Sequence, residues 1–421
     1  MTDDLKITSF RELGLPDALL EALAAVGYES PSPIQSETIP RLLNGEDVLG
    51  QAQTGTGKTA AFGLPLLQRL AADKTPVQPH GVRALILAPT RELAIQIDES
   101  LRSYGRNLKL KHAVILGGIN QSRQVAAMRP GVDVLVATPG RLLDLIQQKF
   151  VRLGAVTTLV VDEADRMFDM GFIRDVRRIV GHLPAKRHSM LFSATMPGDV
   201  VHLVGEILRE PVRVDISPKT IAAENIDQRV YFVEAKDKRA LLQDLLRDSS
   251  MSRVIVFTRT KHGANKVAET LERSGHSVEA IHGNKSQNAR QRALESFRNG
   301  ESRVLVATDI AARGIDVDGI SHVINFELPD VAESYVHRIG RTARAGAGGV
   351  AIAFCDPAER GSLKAIERLV KQELTVIGGV RPSGDVKSDA AQKPARHENR
   401  PHNQHNRARN RRRGGQSRRA A

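Results

Sequence analysis

Residues 47–62, DVLGQAQTGTGKTAAF, run from a short apolar stretch through a glycine-bearing loop into a lysine–threonine pair and a small-residue segment. That order reads as a strand, a turn and the start of a helix. Backbone N–H groups of such a loop point at phosphate, and the helix N-terminus adds a favourable dipole. Lys58 would reach the β- and γ-phosphates of a nucleotide, and Thr59 would place its hydroxyl on Mg²⁺. Thr54, Gly55, Thr56 and Gly57 would form the cradle, the two glycines allowing close backbone approach. A glycine-rich turn is the bland alternative; the GxGK[ST] order between strand and helix favours phosphate. Ala52 replaces the usual leading glycine, which points away from kinases and most GTPases.

Two further segments carry complementary chemistry. In VVDEADRMF (160–168) an acidic pair ends a buried apolar run. Asp162 would hold the metal, and Glu163 would orient or deprotonate an attacking water. A solvated acidic turn is the competing reading, and the phosphate loop weakens it. In YVHRIGRTARAG (335–346), Arg338, Arg341 and Arg344 recur every third residue, as they would near one helix face. Arginines of this kind stabilise the charge that develops on a transferred phosphoryl, worth roughly 10³–10⁵ in rate. Here the alternative is a solvated basic helix.

The elements that would hold these groups alternate along the chain. RALILAP (83–89), HAVILGG (112–118), DVLVATP (133–139), TLVVDE (158–163) and SMLFSAT (189–195) are short, apolar and rich in β-branched residues. They predict buried parallel strands with helices between them. The pattern restarts with RVIVFT (253–258), VEAIHG (278–283), RVLVAT (303–308), HVINF (322–326) and GVAIAF (349–354). VLVAT occurs at 134–138 and again at 304–308, each time behind a strand that ends in Gly-Gly or His-Gly with a glutamine nearby. Two α/β domains of one architecture are therefore expected, over 1–209 and 228–378. Residues 210–227, with Pro211 and Pro218, read as the linker.

The single cysteine, Cys355, lies in an apolar run and reads as a small buried hydrophobe; one cysteine fits a reducing cytoplasm. The early acids of MTDDLKITSF exclude a secretory signal, and no apolar run is long enough for a membrane span. Net charge is +13, of which +9 falls between Val380 and Ala421. Such a balance calls for a polyanionic partner. The segment 379–421 has no aromatic residue and too little apolar surface to offset its ordering entropy, so a disordered basic tail is expected.

With these motifs in order, residues 8–376 resemble the DEAD-box RNA helicases of helicase superfamily two. The resemblance implies two tandem RecA-like parallel-sheet domains, ATP and Mg²⁺ as cofactors, and RNA as partner. GYESPSPIQ (27–35) is similar to the family's adenine-reading segment, with Gln35 on the adenine edge, Tyr28 stacking and Phe10 in support. The SAT segment would link hydrolysis to unwinding through Ser193, Thr195, Asp165 and His337. In TDIAARGID (308–316), Gly314 and Asp316 would face the ribose. FDMGFIRDVRRI (168–179) and the short basic tail resemble the bacterial RhlE-type subgroup. The family usually has glycine where this chain has Ala343. Alanine favours helix by roughly 1 kcal/mol over glycine, so a stiffened turn is expected there.

RNA contacts are expected where strands end. On the first domain these are Thr90 and Arg91, Gly117 and Gly118, and Thr138 and Arg141; on the second, Arg259, Gly283, Arg290 and Thr308. Charge, hydroxyls and open backbone suit phosphate and sugar rather than base edges. For each, a helix cap or tight turn is the plainer reading. The family mechanism is local melting: about five base-pair steps cost about 7 kcal/mol, taking the DNA figure of roughly 1.4 kcal/mol per step. ATP-driven closure could offset that for short duplexes only. The same motifs would serve an ATP-gated RNA clamp with little net unwinding, and the literal DEAD string and Gln35 argue against a DNA-translocating helicase. A monomer is the default, and ribosomal or RNA-decay assemblies are possible settings. Removing the chain after Gly379 should weaken RNA binding and flatten its salt dependence while leaving turnover at saturating RNA unchanged; an unaltered salt slope, read by RNA titration, would count against the tether.

Overall fold

The computed structural model describes residues 9–53, 55–216, 226–312, 317, 319–343 and 348–381. Thr54, Gly314, Asp316, Arg344 and the basic tail beyond Arg381 lie outside them, as does half of the expected linker.

Two seven-stranded sheets organise the chain. In the first, β1 (Val48–Gln51), β2 (Val82–Leu87), β3 (His112–Ile115), β4 (Val132–Ala137), β5 (Thr158–Val161), β6 (His188–Ser193) and β7 (Val212–Asp215) lie in the order 3-4-2-5-6-1-7. In the second, β8 (Ile226–Phe232), β9 (Val254–Thr258), β10 (Val278–Ile281), β11 (Val304–Thr308), β12 (His322–Asn325), β13 (Gly349–Cys355) and β14 (Thr375–Gly378) lie in the order 10-11-9-12-13-8-14. Counting from each sheet's own first strand, the two orders are the same. All recorded strand pairings within both sheets are parallel. The repeated VLVAT occupies β4 and β11, the equivalent place in each sheet, so the repeat read in the sequence is a repeat of topology.

Every expected strand segment overlaps a strand. The expected linker differs: Val212–Asp215 is an edge strand in parallel register with β1, and Ile226 and Asp227 already belong to β8. The proline at Pro211 precedes this edge strand, where a missing N–H is tolerated. Short edge strands carry little alternation, which hid this one.

Helices cover both faces of each sheet, as parallel strands require. In the first sheet Ile86, Val136, Val160 and Phe192 point into one core, and Leu85, Leu135, Leu159 and Leu191 into the other. The period-2 alternation within uniformly apolar strands thus feeds two cores. Because every strand runs the same way, all the loops at their C-terminal ends lie along one edge of their sheet. Among the described residues no helix is long and apolar enough to cross a membrane.

One close approach fixes the strand that carries the glycine loop. Gly50 in β1 faces Phe192 in β6, and a Cβ there would sit 2.5 Å from the ring. The Phe192 ring reaches past it to Phe62, on the helix Lys58–Ala72, with centroids 5.4 Å apart. Gly50→Ala should therefore cost about 1–3 kcal/mol by overpacking. A chemical denaturation midpoint unchanged from wild type would show that the ring can move aside.

Candidate functional site

The loop after β1 is held from below by the segment read as adenine-sensing. Gln35 Oε1 accepts the Ser32 N–H at 2.8 Å, and its Nε2 donates to the Gly57 carbonyl at 3.1 Å. Ser32 Oγ donates to the Thr56 carbonyl at 2.8 Å. Gly57 has φ +90°, and a Cβ there would lie 2.3 Å from Gln35 Nε2, so glycine is required twice over. Lys58 opens the helix Lys58–Ala72 and is buried, with its ammonium donating to the Ala52 carbonyl at 2.8 Å. Thr59 follows it, half-buried. Gly55 adopts positive φ and is exposed. Tyr28 is boxed by Phe10 (5.9 Å between centroids) and by Tyr104, whose hydroxyl lies 3.0 Å from its own.

β5 delivers the acids. Asp162 and Glu163 are 2 % and 3 % exposed. Burial pushes the Asp162 carboxyl up to about 7 against the pull of Lys58, and the Glu163 charge adds to the rise. Its Oδ1 accepts the Glu163 N–H at 2.9 Å. Glu163 caps the helix Ala164–Asp169 with φ +53°, an uncommon conformation for a residue with a side chain and one that clusters at functional sites. Burial opposes its ionisation, but Arg166, at 2.6 Å, together with Lys58 and Arg341 outweighs it, and the carboxyl lies below its usual range. Asp162 and Thr59 offer hard oxygen donors, the set suited to Mg²⁺.

The coupling set is a bonded unit. Asp165 Oδ2 accepts from the Thr195 N–H at 2.9 Å and the Thr195 hydroxyl at 3.0 Å. The Asp165 N–H donates to Ser193 Oγ at 3.2 Å, and that hydroxyl donates to the Thr195 carbonyl at 2.6 Å. Burial again opposes ionisation of Asp165, yet Arg166, Lys58 and His337 hold its carboxyl below the usual range. His337 and Arg341 belong to the second domain, so both acids feel charge from across the cleft.

The arginine face requires correction. The helix Ala332–Ile339 ends at Gly340, so Arg341 sits in the following turn and does not share a helical face with Arg338. Arg338 is fully buried. Its guanidinium grips both oxygens of Asp309 at 2.5 and 2.7 Å, donates to Asn325 Oδ1 and the Glu327 carbonyl, and lies 5.1 Å over the Phe257 ring. It ties the helix to β9 and β12. Arg341 Nε donates to the His337 carbonyl at 3.2 Å, and the guanidinium is buried beside the cleft.

At the other strand ends the first-domain residues group together. Arg91 begins the helix Arg91–Tyr104 and packs its guanidinium against Gly117 and Gly118, where an added Cβ would meet it at 3.5 and 2.3 Å. Thr90 is buried and caps that helix by accepting the Leu93 N–H, the plainer reading of that residue. Thr138 precedes the helix Pro139–Gln147 without a side-chain cap bond. Arg141 lies 3.5 Å from Asp144 and donates to the Ile119 carbonyl. In the second domain Thr308 ends β11 beside Thr258, and Gly283 is exposed with nothing near its missing Cβ.

Arg290 and Arg259 are engaged elsewhere. Arg290 is buried and bridges the domains to Glu92 at 2.9 Å, while Gln287 Nε2 donates to the same carboxylate at 3.0 Å. Arg259 Nη2 bonds buried Glu359 at 2.7 Å, Nη1 approaches Asp330 at 3.4 Å, and its backbone N–H donates to Glu327. Sequence reading missed Glu92 and Gln287; a polar residue beside Arg91 in a helix start gave no signal of a partner about 200 residues away. Cys355 is buried, its thiol pushed up to about 12 mainly by that burial, which leaves no nucleophile.

Comparison with known proteins shows the family. Residues 32–204 match the family described as DEAD/DEAH box helicase, and residues 237–346 match the helicase conserved C-terminal domain. The DEAD-box ATP-dependent RNA helicase CshA of Bacillus cereus is 45% identical over 368 residues, covering 87% of this chain and 69% of that protein. The RNA helicase CrhR of Synechocystis is 44% identical, covering 89% and 75%. Among solved structures, S. cerevisiae Dbp5 bound to RNA and ADP BeF3 superposes with a TM-score of 0.79 at 34% identity, over 88% of this chain and 96% of that one. Mss116 bound to ssRNA and UDP-BeF gives 0.79 at 29% identity, over 89% and 80%.

The turn that carries Arg341 holds one more departure from expectation. Ala343 has φ +55°, in the left-handed region, so it does not act as a helix-favouring residue. Beneath it Gly349 leaves no room: a Cβ there would lie 2.3 Å from Thr342 Oγ1 and 2.8 Å from the Ala343 nitrogen. A left-handed alanine costs roughly 1–2 kcal/mol, part of which glycine returns as chain entropy. Ala343→Gly should stabilise the second domain by roughly 0.5–1 kcal/mol. Its unfolding transition should move to higher denaturant, and an unmoved transition would refute strain in this turn.

Proposed function

The chain belongs to the DEAD-box ATP-dependent RNA helicase family, and from that premise we propose that it hydrolyses ATP under RNA stimulation and melts short RNA duplexes locally. The observation that carries this reading is the meeting of two domains on one acid. Glu163 lies at the end of a first-domain strand, and the field of Arg341 from the second domain favours its ionised form.

The steps follow from the side chains. Tyr28 and Gln35 take the adenine; because Gln35 is bonded to Gly57, base recognition is tied to the phosphate loop. Lys58 and the loop N–H groups take the phosphates. Thr59 and Asp162 would hold Mg²⁺, which would supply positive charge against the phosphates. Glu163, ionised, orients the attacking water and receives its proton as the bond between the γ-phosphoryl and ADP breaks. Arg341 stabilises the charge spread over the transferred group, and Arg344 is assigned the same role from the motif. Asp165, Ser193, Thr195 and His337 relay closure, since the first three are one hydrogen-bonded unit and the fourth acts on it from the other domain.

RNA would cross the remaining strand ends, on Arg91, Gly117, Gly118, Thr138 and Arg141 of the first domain and Gly283 and Thr308 of the second. These contacts read backbone and not sequence. The RhlE-type subgroup rests on FDMGFIRDVRRI, although relatives at 45% identity carry the name CshA. A cytoplasmic setting in ribosomal or RNA-decay assemblies extends the same reading.

The test is ATP turnover with and without single-stranded RNA, paired with strand separation on short and long duplexes. No stimulation by RNA would overturn the proposal. Glu163→Gln should keep ATP and RNA affinity within a few fold while hydrolysis falls by about 10²–10⁴; near-normal turnover would remove Glu163 from its role.

A further inference from the structure

The Tyr28 ring is held at both ends. It follows the helix Asp17–Ala25, where Gly27 turns the chain with φ +79° and the Tyr28 N–H donates to the Leu23 carbonyl at 3.1 Å. That fixes the backbone end. At the far end its hydroxyl lies 3.0 Å from the Tyr104 hydroxyl, a hydrogen bond in which either can donate. The Tyr104 ring meets the Tyr28 ring nearly edge-on, with centroids 5.8 Å apart and planes at 75°, and Phe10 is tilted at 58°. Neither neighbour lies parallel to the Tyr28 ring. Tyr28 itself is half-buried, with Glu29 and Ser30 exposed beside it.

Tyr104 stands on firmer ground. It is the last residue of the helix Arg91–Tyr104, is 6 % exposed, and shares that helix's buried face with Leu93, Ala94, Ile97 and Leu101. The end of this helix presses on the helix Lys58–Ala72. At Gly63, in the second turn of the helix that Lys58 opens, a Cβ would lie 2.6 Å from Leu101 and 3.8 Å from Tyr104. The Tyr104 side chain therefore belongs to an element packed directly against the phosphate-loop helix. Two separate ties connect base recognition to the phosphates. Gln35 reaches Gly57 on the side of the base edge, and Tyr28 reaches the Gly63 turn through Tyr104 on the side of the ring.

A stacking ring needs that second tie. Stacking supplies no directional bond, and a half-exposed tyrosine left free would lose side-chain freedom each time a base arrived. A ring anchored beforehand avoids that cost, and a site is more precise when its support stands on a helix than on a loop. We infer that Tyr104 is a positioning residue for the nucleotide: it holds the Tyr28 hydroxyl from the phosphate-loop side, preorders the ring on which adenine stacks, and so sets part of the preference for a purine base. This rests on the reading above that Tyr28 takes the adenine.

The test is nucleotide affinity, measured by calorimetric titration of the full chain with ADP and with UDP, beside KM and kcat for ATP at saturating RNA. Tyr104→Phe keeps the ring and removes the bond. It should weaken ADP about fivefold, within the range of one neutral hydrogen bond. UDP, whose smaller ring draws less from the stack, should weaken by less than about twofold. KM for ATP should rise about fivefold while kcat stays within about twofold, the mark of lost binding and not of lost chemistry. Tyr28→Phe removes the same bond from the other side and should reproduce the loss, and the pair of substitutions together should lose no more than either alone. Additive losses in the pair, or equal weakening of ADP and UDP in Tyr104→Phe, would reduce Tyr104 to a packing residue and overturn the assignment. Wild-type ADP affinity in Tyr104→Phe, with ADP weakened in Tyr28→Ala, would also overturn it and leave the adenine reading standing. If Tyr28→Ala keeps both the wild-type ADP affinity and the preference over UDP, the adenine reading fails and the inference fails with it.

Discussion

Three carboxylates, Asp162, Glu163 and Asp165, are packed into four consecutive residues at the end of one strand, each less than a tenth exposed. Burying a charge costs several kcal/mol unless partners return it. The first domain provides Lys58 from the phosphate loop and Arg166 one turn along the helix; the second provides Arg341 and His337. Even so, Asp162 is left with its carboxyl raised to about 7, chiefly by burial. Of the three acids it has most to gain from a cation at its side, and it is the one proposed above to hold Mg²⁺. The acid strand therefore requires a phosphate loop on its own domain and a basic turn on the other. Much of the remaining architecture exists to bring those two together.

Sheet order divides the labour along the edge. In the first sheet β5, β6 and β1 are neighbours, so the acids, the SAT segment and the phosphate loop share one half of the strand ends. β2, β4 and β3 form the other half and carry Arg91, Thr138 and the Gly117–Gly118 pair. On the function proposed above, nucleotide and polymer would take separate halves of a single edge. The second sheet repeats the order, which puts Gly283, Thr308 and Arg259 at the ends of β10, β11 and β9 in the matching half.

What the sequence made legible follows from this arrangement. Buried parallel strands are continuous apolar runs, so they stood out, and motifs at their ends were placed on the correct edge by the strands alone. Lys58, Asp162 and Glu163 could be placed at strand ends because each sits in a local motif, whereas the Asp165–Ser193–Thr195 contact was expected only from the family resemblance. Partnerships between distant residues were not. Arg290 and Arg259 carry charge in a plausible place, but only the fold reveals Glu92 and Glu359 waiting for them. Arg338 looked like a third member of a helical row until Gly340 ended the helix. Ala343 was judged by helix propensity because a positive φ leaves no trace in a residue's type. β7 escaped for a different reason: four residues at a sheet edge, half of them exposed, show no buried pattern.

The two cross-domain contacts lie on opposite halves of that edge. On the polymer side Glu92, the residue after Arg91, is buried against Arg290 and Gln287. On the nucleotide side Glu163 and Asp165 are stabilised by Arg341 and His337. Each contact buries acids and bases together, so each is costly when half-made and favourable only when the faces meet. Two such contacts, set apart along one edge, resist sliding or rocking about either one alone. Packed interfaces of this kind are bistable and do not deform continuously. On the function proposed above, phosphate beside Lys58 would change the charge balance that Arg341 answers, and a strand lying on Arg91 would touch the helix turn that presents Glu92, so occupancy of either half would be felt at the other without any dedicated wire.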